Sequence, residues 1–183
     1  ELIEKFNLVD KPDYWNWGNY YKSKDTIFKM AETTIAKTLE KISLPPEEIE
    51  LVFFCCSAPG VDFKLVNASL GNTLNNNNLS QVQIIGQSIG GCTSIFHVLK
   101  IAQALLKQGA YKNILVVASD IVPEGFDRMY QFGIYSDCSS CFLLSSEEKK
   151  GYKLKNIHVA SDTKLMSGIM ENPDSHFIHL KKI

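Results

Sequence analysis

Two short, continuously apolar runs constrain the fold of this chain more than any other feature of its sequence. Residues 51–56 read LVFFCC, and residues 113–119 read NILVVAS. Strands that are apolar at nearly every position are typical of a parallel sheet with helices on both faces. Both runs fall far short of the ~20 residues that span a bilayer. They therefore predict two central strands of an α/β fold rather than membrane segments.

Segments with a helical spacing of apolar residues alternate with these strands. Helices are predicted at 26–42, 61–74 and 95–106, and further strands at 82–85, 140–145 and 153–161. Asp25 is the expected N-cap of the first helix, and Gly109 is expected to end the third. The alternation implies crossover connections and a mostly parallel five-stranded sheet with helices on both faces, whose last strands could add an antiparallel edge. Residues 1–183 are expected to form one domain.

The charge balance excludes a mainly electrostatic partner such as nucleic acid. The 183 residues carry 19 basic and 20 acidic side chains, and Arg128 is the single arginine. Because a bidentate phosphate clamp needs the arginine fork, such clamps are not expected here. The five cysteines are odd in number, and unbridged thiols are typical of a reducing compartment, so we predict a cytoplasmic protein.

The strongest candidate for chemistry is Cys92, within GQSIGGCTS at residues 86–94. It follows a strand that we expect to be buried and precedes the clearest helical pattern. Two glycines before it allow a tight turn and the close approach of a substrate. The positive partial charge of a helix start favours thiolate over thiol, and a thiolate there suits attack on a thioester carbonyl. A small buried cysteine that only packs is an equally good interpretation at this point.

The order and spacing of four segments give the chain a resemblance to a known family. These segments read LPPEEIELVFFCCS, SIGGCTS, KQGAYKNILVVASD and FGIYSDCSSCFLLS. From residue 25 to residue 145 the chain resembles the first half of a thiolase-fold condensing enzyme of the β-ketoacyl-acyl-carrier-protein synthase III type. The resemblance implies an acyltransferase in which Cys92 takes an acyl group from acyl-CoA or an acyl carrier protein. It implies no cofactor besides that thioester substrate.

Further residues acquire roles only through this resemblance. Ser119 and Asp120 match a pair that follows a buried strand in the family, and Asp137 stands where the family has a Gly-Asp-Gly-Ala run. Phe63 aligns with a position that lines the acyl pocket of the partner subunit. Trp15 lies near a tryptophan that stacks on the adenine of CoA. Phe63 and Trp15 are therefore the predicted substrate-binding residues.

The resemblance also implies partners for this chain. Family members are considerably longer and are built from two similar halves, of which the second supplies a catalytic histidine and an asparagine or second histidine. We expect that second half in the same or in a separate polypeptide. We also expect a dimer of the chain with itself or with a paralogue, formed through the strand that precedes Cys92.

Two other functions stay open. A non-catalytic partner subunit of the same fold would shape the pocket of an active paralogue, although an intact Cys92 speaks against it. Alternatively, the C-x-x-C pair of Cys138 and Cys141 could bind zinc or carry out thiol–disulfide exchange. No second ligand pair accompanies that motif, so no metal site is expected. The aromatic loop at 126–135 could line an acyl tunnel, form a dimer contact or cover one end of the sheet.

Overall fold

The computed structural model describes residues 20–57, 62–89, 93–124, 128–130, 133–147 and 151–158. Contacts divide the chain into two compact units, residues 1–151 and residues 152–183. In the second unit, the described residues 152–158 form no helix or strand. No helix in the described ranges is both long enough and apolar enough to cross a membrane.

The first unit alternates helices and strands, as the sequence predicts. In chain order its described elements are α1 (Ile27–Ile42), a 3₁₀ helix (Pro46–Glu48), β1 (Leu51–Cys55), α2 (Phe63–Asn75), β2 (Gln83–Gln87), α3 (Ser94–Lys107), β3 (Asn113–Asp120), β4 (Met129–Tyr130), β5 (Gly133–Ile134) and β6 (Cys138–Ser145). The predicted bounds of the three α-helices and of β1, β2, β3 and β6 agree with these within about two residues, the usual uncertainty of an element end.

The main sheet of the described residues has four strands in the order β2-β1-β3-β6. β1 is parallel to both neighbours, with Leu51 opposite Gln83 on one side and Ile114 on the other. β6 pairs antiparallel with β3 and forms the expected antiparallel edge. The sheet is therefore mixed. The fifth strand predicted at 153–161 is not confirmed, because the described residues 153–158 form no strand; residues 159–161 lie outside the described residues.

Helices cover both faces of this sheet, as predicted. α1 and α2 pack on one face, where Ile35 and Phe54 belong to the same core cluster. α3 covers the other face, where Val98 packs in a second cluster with Phe53. Since successive residues of a strand point to opposite faces, the two phenylalanines fill two different cores. This is why residues 51–56 are apolar without a break.

The helix ends test the predicted caps. The N-cap of α1 is Thr26, whose hydroxyl accepts a hydrogen bond from the amide of Lys29. The prediction of Asp25 is wrong, because Asp25 lies one position too early to reach those amides. Gly109 ends α3 as predicted, with a φ of 71°. Its amide and that of Ala110 bond back to helix carbonyls, which is the Schellman arrangement.

Two further regions differ from expectation. β2 was predicted to be buried, but it is an edge strand whose side chains are mostly exposed. Ile84 and Ile85 of this strand are therefore partly exposed in the part of the chain that the structure describes. The loop predicted at 120–135 contains the β4–β5 hairpin, in which Met129 pairs with Ile134. Strands of two residues are too short to leave a period-2 pattern in the sequence.

Candidate active site

The carboxyl ends of β1, β2 and β3 meet at one edge of the sheet, because these three strands are parallel. In α/β sheets, ligands bind in the crevice outside this edge. β2 ends at Gln87 and α3 begins at Ser94. The connection between them, which contains Cys92 in sequence, therefore departs from the edge where a ligand is expected.

The three predicted site residues are not tested by the described side chains. Cys92 and Trp15 lie outside the described residues. Phe63 is the first residue of α2, and its side chain also lies outside the description. Their roles in acyl transfer and substrate binding stay predictions.

Ser119 and Asp120 tie the end of β3 to its neighbours. The buried hydroxyl of Ser119 donates to the carbonyl of Ile27 at 2.7 Å and so fixes the start of α1. The Asp120 carboxylate accepts a hydrogen bond at 2.5 Å from the amide of Ser57, just beyond β1. Burial raises the pKa of Asp120, and the bonds from Ser57 oppose that shift. These two side chains stabilise the sheet edge from which the β2–α3 connection departs.

Asp137 joins several distant stretches of the chain at this edge. Its carboxylate accepts hydrogen bonds from the amides of Ser23 and Val122, at 2.8 and 2.9 Å. Arg128 contacts both carboxylate oxygens, at 2.9 and 3.0 Å, as a bidentate pair. The Asp137 amide donates to the carbonyl of Tyr21. We call these five residues the Asp137 clasp.

The clasp is shielded from solvent, with 2% of the Asp137 side chain and 13% of the Arg128 side chain exposed. Burial opposes ionisation of Asp137, but hydrogen bonds from Arg128 and from the two amides outweigh it and lower the pKa of that carboxyl. Arg128 also lies over the ring of Tyr20, 5.2 Å from its centroid.

Sequence reasoning missed this pair. The available signal was a single arginine in a chain that otherwise uses lysine, since a buried bidentate contact requires the guanidinium fork.

The buried cysteines near the sheet edge are poor nucleophiles. Cys55 and Cys56 are buried in the two cores on either side of β1 and pack there. Burial raises the pKa of each thiol to about 11, and the negative charge of Asp120 adds to the shift. Burial also raises the pKa of Cys141 to about 11, against a hydrogen bond with Thr38. None of these three thiols is suited to acyl capture, because the thiolate is the reacting form.

The C-x-x-C motif does not form a binding site. Cys138 and Cys141 both lie on β6, and residues three apart on a strand point to opposite faces. Cys141 packs against the core under α1, whereas Cys138 is exposed. Within the described ranges, no group of three or more His, Cys, Asp or Glu side chains could hold a metal ion. The four described cysteines are free thiols, so this geometry speaks against a zinc or redox module.

Large apolar side chains are exposed on β2 and on α3. Ile84 and Ile85 of β2 are 42% and 43% exposed, and Phe96 and Ile101 of α3 are also about half exposed. β2 reads QIIGQ and carries neither the charges nor the proline that commonly protect an edge strand. Contiguous exposed apolar patches commonly mark sites of protein contact.

Comparisons with known proteins agree with this architecture. Residues 89–163 match the family described as 3-oxoacyl-[acyl-carrier-protein (ACP)] synthase III. The β-ketoacyl-[acyl-carrier-protein] synthase III of Chlamydia caviae is 30% identical over 118 residues, which are 62% of this chain and 31% of the relative. The chain thus spans about a third of the length of this curated relative.

Solved structures share the fold. The 3-oxoacyl-[acyl-carrier-protein] synthase III of Aquifex aeolicus is 25% identical with a TM-score of 0.57, over 71% of this chain and 42% of that one. A protein named as the acyltransferase ChlB3 is 23% identical with a TM-score of 0.62, over 76% of this chain and 43% of that one, and it supports the fold alone. The resemblance predicted from the sequence is confirmed: over residues 89–163 this chain is similar to the 3-oxoacyl-[acyl-carrier-protein] synthase III family.

Proposed function

We propose that this chain carries the nucleophilic cysteine of an acyltransferase of the β-ketoacyl synthase III type, which takes an acyl group onto Cys92. The observation that carries the proposal is the family match over residues 89–163, which starts in the β2–α3 connection and includes Cys92. The donor is an acyl-CoA or an acyl carrier protein. The relative from Chlamydia caviae is named a β-ketoacyl-[acyl-carrier-protein] synthase III, and this name supports the substrate class.

The first step is a thioester exchange. The sulfur of Cys92 attacks the carbonyl carbon of the donor and forms a tetrahedral intermediate with a new carbon–sulfur bond. Backbone N–H groups near the start of α3 stabilise the oxyanion. The bond to the donor sulfur then breaks, and that sulfur leaves as a thiolate and takes a proton from solvent. The positive end of α3, a helix of 14 residues, favours the thiolate of Cys92 before attack.

The condensation that would follow needs a second half of the fold, in the same or a separate polypeptide. In that step a decarboxylated malonyl thioester or another nucleophile attacks the acyl group on Cys92. The surface of α3 supports this proposal, because Phe96 and Ile101 are exposed while Val98 faces the sheet. A helix that is apolar on two sides is typical of burial between two layers.

We also propose a dimer, with a second copy or a paralogue, in which β2 pairs with β2 of the partner. The uncharged edge of β2 supports it, since Ile84 and Ile85 point to opposite faces and each is more than 40% exposed. The free thiols of the described residues are consistent with the reducing environment of a cytoplasmic protein.

The exposed surfaces of β2 and α3 would equally suit the second candidate, a non-catalytic subunit that supports an active paralogue.

The test is intact-protein mass spectrometry of the purified protein, with any co-purifying chain, after incubation with a mixture of acyl-CoA thioesters. We expect the mass of one acyl group to be added and to map to Cys92. Cys92→Ala should abolish the adduct, whereas the matched control Cys138→Ala, which removes an exposed thiol elsewhere in the chain, should keep it. No adduct in the presence of a second half, or an adduct that survives Cys92→Ala, would refute the catalytic proposal and favour a supporting subunit.

A further inference from the structure

The Asp137 carboxylate accepts hydrogen bonds from different parts of the chain. The amides of Ser23 and Val122 and Nη2 of Arg128 donate to it, and Nη1 of Arg128 lies 2.9 Å from Oδ1 as an ion pair. Ser23 is separated from Asp137 by 114 positions in sequence. One buried side chain thus connects the segment before α1, the turn after β3 and the β4–β5 hairpin region.

The segment before α1 depends on these contacts. Tyr20 and Tyr21 are exposed by 52% and 64%, so apolar burial does little to hold them. Instead, the carbonyl of Tyr21 accepts a hydrogen bond from the amide of Asp137, and the amide of Tyr21 donates to the hydroxyl of Ser136 at 3.0 Å. Arg128 adds a contact with the Tyr21 carbonyl at 3.4 Å and lies over the ring of Tyr20. Polar contacts centred on one carboxylate therefore fix this segment.

The turn after β3 is held in the same way. Val122 lies two residues after Asp120, the last residue of β3, at the carboxyl edge of the sheet. Its amide donates to Asp137, and Arg128 also donates to the carbonyl of Tyr135 at 3.2 Å. Arg128 and Tyr135 lie on either side of the β4–β5 hairpin, which reaches from the turn to the start of β6. The clasp thus sets the path of the chain at the edge from which the β2–α3 connection departs.

We propose that Asp137 is a positioning residue for binding of the acyl thioester: its clasp holds residues 20–23, the turn at 121–122 and Arg128 in place as one unit at the carboxyl edge of the sheet. This inference rests on the proposed function. Asp137 does not take part in the thioester exchange, so its loss should weaken capture of the donor more than it slows the exchange itself. Misplacement of binding segments by about 1 Å can cost on the order of 10²-fold in such a reaction.

The experiment compares Asp137→Asn with the unchanged protein, in full chains with any co-purifying partner. Two readouts are used: hydrogen exchange at the amides of Ser23, Val122 and Phe53, and the rate of acyl-CoA loading onto Cys92 over a range of acyl-CoA concentrations. The matched control is Glu32→Gln, which removes the charge of the pair with Lys29 on α1 and keeps an oxygen for the hydrogen bond from Asn76. Arg128→Lys keeps the positive charge but loses the fork, and it provides a milder variant if Asp137→Asn fails to fold.

In Asp137→Asn we expect the amides of Ser23 and Val122 to exchange at least about tenfold faster together, while Phe53 in the central strand keeps its protection. The half-saturating acyl-CoA concentration should rise by about tenfold or more, with the maximal loading rate changed much less. Arg128→Lys should show the same pattern more weakly, and Glu32→Gln should match the unchanged protein.

The proposal is overturned if the amides of Ser23 and Val122 keep their protection in Asp137→Asn. It is also overturned if these amides lose protection while the half-saturating acyl-CoA concentration stays unchanged. An equal fall in maximal rate and affinity would also overturn it, because a general loss of structure produces that result. If the unchanged protein takes up no acyl group at all, the proposed function fails, while exchange at Ser23 and Val122 still decides whether the clasp acts as one unit.

Discussion

Native alkylation should separate the cysteines by their burial. Iodoacetamide added to the folded protein at pH 8 reacts with thiolates, so each rate follows the ionised fraction of the thiol. Cys55, Cys56 and Cys141 each have a pKa raised to about 11, by burial and, for the first two, by the charge of Asp120. We therefore expect these three thiols to be almost unreactive while the protein stays folded.

The size of the effect follows from the two pKa values. At pH 8 an ordinary thiol with a pKa of ~8.5 is roughly one quarter ionised, whereas a thiol with a pKa of about 11 is ~0.1% ionised. The ratio predicts alkylation of Cys55 about 200-fold slower than that of an exposed cysteine. Limited access adds to this factor, since 2% of Cys55 is exposed. Cys138 should react faster than these three, because it is exposed and its pKa is raised less.

The assay is peptide mass mapping of alkylation at several times, with the same reaction in concentrated urea as the reference for each cysteine. The native rate of Cys55 should keep rising by about tenfold per pH unit between pH 8 and pH 10. A rate that levels off near pH 8.5 would mean reaction through an opened state with an ordinary thiol. A native rate within a few-fold of the urea rate, with circular dichroism unchanged, would refute the burial argument.

Two further predictions concern stability. Gly109 has a φ of 71° after α3, so Gly109→Ala should lower the free energy of unfolding in urea by about 1 kcal/mol. The matched change is Gly71→Ala, inside α2 and with open space around the added carbon. It should instead raise the free energy of unfolding by up to ~1 kcal/mol. The raised pKa values of Cys55, Cys56 and Cys141 predict a free energy of unfolding that is unaffected below about pH 8.5 and falls as the pH rises toward 11, because the unfolded thiols ionise first. Cys55→Ala should flatten this decline, and an unchanged slope would contradict it.

Local pattern was sufficient to predict the elements that bury the most surface. Phe53 and Phe54 both need a core, and that requirement alone implies a sheet covered on two sides. The end of α3 at Gly109 was predictable, because the helix needs only a left-handed backbone angle at that position to end there. Glycine adopts that angle freely. In each case the cause lies within a few residues of the effect.

The features that were missed depend on partners far away in sequence. Nothing near Asp137 indicates that Ser23 donates to it, because the two meet only when the sheet has formed. β2 has the composition of an internal strand, and only the strand order places it at an edge. Thr26 and not Asp25 is the N-cap, because the identity of the cap depends on the residue at which the first helical turn begins. Helix propensity predicts that residue only to within one or two positions.

The central position of β1 has a consequence for synthesis of the chain. β1 pairs with β2 and β3, and both follow it in sequence. At ~5–20 residues per second, translation from the end of β1 to the end of β3 takes on the order of 3–13 s. Throughout that interval LVFFCC, a segment without charge or proline of the kind that self-associates, lacks at least one of its two neighbouring strands. α1 is already made and can cover one face of β1, but the other face stays open until α3 emerges from the ribosome.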